Sequence, residues 1–186
     1  MMAMSAAAWT IDPVPAAIMT LSLAALWLAA GLHKLADLKA FERSLEAYDI
    51  APRAMLPLLG RLLPPLELAL AAGLLIARAR PVAGAVGALL LMGYGAAIAF
   101  NLRRGRRDLD CGCMGFGARS QISPALAWRN AIAAVASLSA GLLPRSERVS
   151  GWMDAWTIVA AVVVIALLYL AMEGLRAAAQ RFSRYG

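Results

Sequence analysis

Three stretches of this 186-residue chain run without a charged side chain for long enough to cross a bilayer: residues 13–32, 81–102 and 155–172. A helix rises about 1.5 Å per residue, so about 20 mainly apolar residues cover a hydrocarbon core about 30 Å thick. Two further apolar runs are less clean. Residues 62–77 are interrupted by Glu67 and open near the Pro64-Pro65 pair, which a helix start tolerates because the missing N–H groups have no partner there anyway. Residues 130–144 are short for a span, but Arg129 and Arg145 at their ends can snorkel and Trp128 can sit at the interface. The pattern predicts an all-α integral membrane protein, a polytopic helical bundle of about five spans in one domain covering residues 1–186. The spans are expected near 14–32, 56–77, 81–102, 126–144 and 155–173. Composition excludes the alternatives. With 62% apolar and 16% charged residues, a soluble fold of this size could not hide its apolar surface. Two cysteines cannot make a disulfide framework, and the apolar content excludes disorder.

The net charge of +7 would suggest nucleic acid as a partner in a soluble chain. Here most of the excess lies in the connections between apolar runs, so no nucleic-acid partner is expected and the charge reads as a topology signal. Summed on alternate sides of five spans, the Lys and Arg residues divide 14 against 4. The heavier side holds Lys34, Lys39, Arg103, Arg104, Arg106 and Arg107 among others. The positive-inside rule therefore places the N-terminus outside and the C-terminus in the cytoplasm. Residues 1–15 contain no Lys or Arg, so the first span is expected to stay as an anchor, not to be cleaved. Between spans one and two, Leu35, Leu38, Phe41, Leu45 and Tyr48 recur every three or four residues. That spacing predicts an amphipathic helix over 35–50 lying in the interface.

Chemistry-bearing residues concentrate on one membrane side. Asp110-Cys111-Gly112-Cys113-Met114-Gly115 follows span three and holds both cysteines. Thiolates are the nucleophiles of disulfide exchange, and a pair one residue apart would close a strained, reducible ring. Alternatively, the cysteines only stiffen the loop, or they bind a metal. Zinc would need two more ligands in a chain with a single histidine. Glu67 is an acid within an apolar span, which either faces a partner or sits near the helix start at headgroup depth. His33 and Lys34 end span one, and simple anchoring explains them unless Lys34 pairs with Glu67. His33, Glu67, Cys111 and Arg129 fall on the same side whichever way the chain is inserted. The small-residue pairs Ala69-Gly73 and Gly84-Ala88 predict close helix contacts, Trp152 and Trp156 an interfacial belt, and the nine methionines core filler. No phosphate loop, HExxH, Ser-His-Asp or G-x-S-x-G pattern is present.

Several short motifs together resemble one family. They are Ala30-Gly31-Leu32-His33-Lys34-Leu35, Leu63-Pro64-Pro65-Leu66-Glu67, Asn101-Leu102-Arg103-Arg104-Gly105-Arg106 running into the cysteine block, and Trp128-Arg129-Asn130. Over about residues 16–143 the chain resembles the methylamine utilisation protein MauE family, within the DoxX-like group of small four-helix membrane proteins. The resemblance implies a four-helix core plus one further span, located in a bacterial inner membrane. It implies an accessory role without a cofactor, not a metabolic enzyme: processing, transport or maturation of the beta (small) subunit of methylamine dehydrogenase. The implied partners are that subunit's precursor and a thioredoxin-like periplasmic protein, MauD. Cys111 and Cys113 would exchange thiols and disulfides, supported by His33, Lys34, Glu67, Arg106, Asp110 and Arg129. A small transporter of a soft metal or redox molecule, and a non-catalytic scaffold, are the competing readings. The charge count sets the cysteine loop on the cytoplasmic side, whereas the implied substrate folds outside. A loop that relays electrons across the membrane, a reversed topology, or indirect action would each reconcile the two.

Overall fold

The structure, a computed structural model, describes residues 10–109 and 121–185. Cys111, Cys113 and Asp110 lie outside them. The described residues form six α-helices: α1 (Pro13–Ala36), α2 (Leu38–Tyr48), α3 (Leu56–Leu75), α4 (Arg80–Arg103), α5 (Pro124–Leu142) and α6 (Trp152–Tyr185). All but the short α2 are long and apolar enough to span a membrane. α1 packs on α3, α3 on α4, α4 on α5, and α5 returns to α1, which closes a four-helix ring. α6 leans on α1 from outside that ring, and none of its apolar window is buried within the chain. In a bilayer such a helix faces lipid.

Local chemistry sets the helix ends. The Asp12 carboxylate accepts from the Val14 N–H and Pro13 opens α1, a capped start with a preset φ. Asp37 separates two helices: its N–H donates to the His33 carbonyl and its carboxylate accepts from the Ala40 N–H. The amphipathic segment is therefore not one helix over 35–50. Leu35 belongs to α1 and is exposed, while Phe41 is the buried residue of α2. Pro64 and Pro65 do not start a helix either; α3 begins at Leu56 and carries them in its interior. Pro57 occupies the first turn instead.

Close approach of backbones builds the ring. A Cβ on Gly84 would come within 2.7 Å of the Gly141 Cα and of the Ser137 carbonyl oxygen. The helices α4 and α5 thus touch backbone to backbone, and the Ser137 hydroxyl donates to the Gly84 carbonyl across the contact. Gly31 does the same for α1 and α3, against Leu68 and the Pro64 carbonyl. Of the expected small pairs, Gly84 and Ala88 are buried and Gly73 meets Ala83, but Ala69 is exposed. The methionine expectation also needs correcting. Met19 packs on the core, whereas Met55, Met92, Met153 and Met172 are exposed, because lipid is as apolar as the interior and does not drive them inward.

At one end of the bundle the N-terminal segment is clasped to the α5–α6 connection. The Ile11 N–H donates to the Pro144 carbonyl, and the Ser146 N–H donates back to the Ile11 carbonyl. Arg148 bonds both Asp12 and Asp154. Its guanidinium holds the Asp12 carboxyl below its ordinary value, and those carboxylates raise Arg148 in turn.

Candidate buried ion-pair site and the base of the cysteine loop

At the other end, three helices meet around one acid. The close α1–α3 contact at Gly31 brings Lys34, one turn further along α1, against Glu67 of α3. Both are sealed from solvent, with 3% and 0% of their side chains exposed. Lys34 Nζ and the Tyr94 hydroxyl, from α4, both donate to Glu67 Oε1. The Lys34 ammonium lies 4.9 Å from the centre of the Tyr94 ring and 5.1 Å from that of Phe41, contributed by α2. Both distances fall within cation–π range. Glu67 Oε2 is buried without a hydrogen-bond partner among the described residues. Glu67 is thus not at the start of its helix. It stands twelfth of the 20 residues of α3, about 16 Å along the axis from Leu56 at 1.5 Å per residue. A charge at that depth is retained only with a partner, and Lys34 is that partner.

A second network gathers the end of α4. The fully buried Asn101 amide donates to the Tyr48 and Ala97 carbonyls and accepts from Arg106. Arg106 also donates to the Ala47 carbonyl. One guanidinium and one amide thereby satisfy carbonyls at the C-terminus of α2, where a helix leaves acceptors unpaired and favours positive charge. Gly105, at φ +75°, makes the turn that brings Arg106 back to that point, a conformation that suits glycine. Beyond it the cysteine loop is tied at both ends. The Ile122 N–H donates to the Leu109 carbonyl at 3.1 Å, and the Gln121 amide donates to Asp108 at 3.1 Å. Ile98, Ile122 and Leu126 form a small buried cluster under this tie.

Arg129 belongs to neither group. It pairs with Glu173 and Tyr169 and fastens α6 to the start of α5. His33 is exposed beside Lys34. The expected supporting residues therefore separate into three places: Lys34 with Glu67, Arg106 at the loop base, and Arg129 at the α6 junction. Tyr94 was absent from the expectations, and Phe41 entered only as part of an apolar face. A tyrosine on an apolar helix carries no sequence signal for the acid it will meet.

The family model described as methylamine utilisation protein MauE matches residues 12–144. The chain belongs to the MauE family. It is 39% identical to the methylamine utilization protein MauE of Paracoccus versutus over 79% of each chain. It is 31% identical to the MauE of Methylorubrum extorquens over 91% of this chain and 92% of that one. The MauE of Paracoccus denitrificans is 31% identical over 69% of each. No solved structure matches. The MauE match takes in α1 to α5 and both polar networks, and it stops before α6 begins.

Proposed function

We propose that this chain is a multi-pass protein of the bacterial inner membrane that assists the processing, transport or maturation of the methylamine dehydrogenase beta subunit. The chemistry is thiol–disulfide exchange at Cys111 and Cys113, in methylamine utilisation. Membership of the MauE family supports the pathway. The observation that carries the chemistry is the tie beneath the loop: two hydrogen bonds join residues 108 and 109 to residues 121 and 122 over buried Ile122. This tie brackets the segment of sequence that holds both cysteines of the chain. In the exchange step one thiolate attacks a partner's disulfide sulfur and displaces the other sulfur as a thiolate, giving a mixed disulfide. The second cysteine then attacks that bond. The loop is left as the disulfide and the partner as the dithiol, two electrons having passed to the partner. The dehydrogenase subunit precursor and a thioredoxin-like protein such as MauD are the partners. The charge balance supports a cytoplasmic loop with the N-terminus outside, so the electrons reach these periplasmic partners by relay across the membrane.

The test uses intact cells growing on methylamine. Changing Cys111 and Cys113 together to serine should abolish accumulation of active dehydrogenase. Cys113→Ser alone should trap a mixed disulfide that reductant dissolves. Normal dehydrogenase activity with both cysteines replaced would overturn the thiol reading and leave a scaffold. A membrane-impermeant thiol reagent reads the side: a cytoplasmic loop reacts only after the membrane is opened.

A further inference from the structure

The Lys34–Glu67–Tyr94 cluster has a property that thiol exchange does not use. Glu67 is wholly buried, yet among the described residues its two donors converge on Oε1 and none reaches Oε2. A buried carboxylate oxygen without a protein donor retains the capacity to accept a hydrogen bond. What Glu67, Tyr94 and Phe41 surround is a primary ammonium group: one carboxylate, one phenol hydroxyl and two aromatic faces. The occupant is the chain's own Lys34, whose terminal Cε–Nζ is a methylammonium on a tether.

The tether is rooted near the end of its helix. Lys34 lies two residues before the end of α1, and His33 and Leu35 on either side of it are exposed. Its four-carbon stem can swing outward and hold the ammonium at the interface. A free ammonium that replaced it would bring the same charge to Glu67, so the acid would not be stranded. Freed from the stem, that ammonium could turn its three N–H groups to Oε1 and Oε2 together, which Lys34 does not do. We propose that Phe41, Glu67 and Tyr94 form a binding site for small primary alkylammonium ions, methylammonium fitting best, and that Lys34 is a resident occupant which such ions displace. This site is independent of the cysteines.

The test is equilibrium dialysis of radiolabelled methylammonium against purified protein in lipid nanodiscs. A short tether holds its occupant at an effective concentration in the mM range, so wild-type protein is titrated to about 100 mM. Saturable binding of one ion per chain is expected. Lys34→Met should bind at least about tenfold more tightly, because the tethered competitor is gone. Glu67→Gln should not bind. Tetramethylammonium and sodium should fail to compete, since neither carries an N–H donor. If Lys34→Met assembles only with methylammonium present and not with tetramethylammonium, that rescue also supports the site. Folded Lys34→Met protein that shows no saturable binding, binding unchanged in Glu67→Gln, or no rescue of an unfolded variant would each overturn it. Protein with both cysteines changed to serine should bind as wild type does, so loss of one reading leaves the other standing.

Discussion

The two ends of this bundle hold ion pairs of the same chemistry in opposite surroundings. Lys34 and Glu67 are almost completely buried between three helices, whereas Arg148, Asp12 and Asp154 clasp two chain segments in the open. The open clasp has the fuller hydrogen bonding. Arg148 makes four bonds to two carboxylates, while Glu67 uses only one of its oxygens. Bond count is nevertheless a poor guide to what each end contributes. Water and salt screen the exposed charges and can replace either partner, so an exposed pair adds little. Water does not reach the buried pair to take the place of Lys34 beside Glu67. Removing one partner strands a charge where solvation is lost, so the buried pair matters most when it is broken.

That contrast is sharpest under mutation. Lys34→Met or Glu67→Ala should cost about 3–5 kcal/mol, read as loss of folded protein in unfolding measurements in detergent or bilayer. Reversing both charges together should recover much of what either single reversal loses. A double-mutant cycle with no coupling between the two positions would break the comparison at its buried end.

The glycine contacts give an intermediate case in which packing replaces charge. Gly84→Ala drives a Cβ into backbone atoms of α5 that cannot step aside, and overpacking of this kind costs about 1–3 kcal/mol. Gly93 lies on the same helix with open space around it. Gly93→Ala should be neutral or slightly stabilising, since alanine is the better helix former. Melting temperatures of the two variants decide the matter; equal values would mean that the α4–α5 backbone contact is not close.

The smallest effect belongs to Arg148→Ala, and its sign follows from Asp12. The folded state holds that carboxyl below its ordinary 3.8. Its contribution is therefore fully present above pH 3.8 and is lost as pH falls through the lowered folded value. The wild type should melt slightly above the variant at neutral pH, and the gap should close in acid below 3.8. A gap that persisted at the acid end would show that Arg148 acts through something other than Asp12 and Asp154.

Much of this was legible in the sequence because lipid imposes a simple rule. Uncharged runs of 18 to 22 residues mark α1, α4 and α6, since a charge there has no water to meet. The lone acid at Glu67 left both a partner, with Lys34 the near cation, and headgroup depth open on the same ground. Other features were misread for local reasons. Pro64 and Pro65 looked like a helix start, because sequence shows the missing donors and not the packing that lets α3 run through them. Residues 35–50 looked like one amphipathic helix, because periodicity cannot show that Asp37 ends α1 and caps α2 within a single residue.

The sequence by itself determined that this is a helical membrane protein and how many spans it has, and it marked Glu67 as an acid either partnered or at headgroup depth. Those properties follow from the transfer of side chains between water and hydrocarbon, which depends on local composition alone. Only the tertiary structure decided that Tyr94 and Phe41 complete the site around Lys34, that one carboxylate oxygen stays bare, and that Arg106 turns back to cap α2 instead of joining them. Such pairings depend on how closely helices approach and how they are rotated. Gly31, Gly84 and Gly141 govern the approach through contacts between residues 33 to 61 positions apart, a separation that no local pattern records.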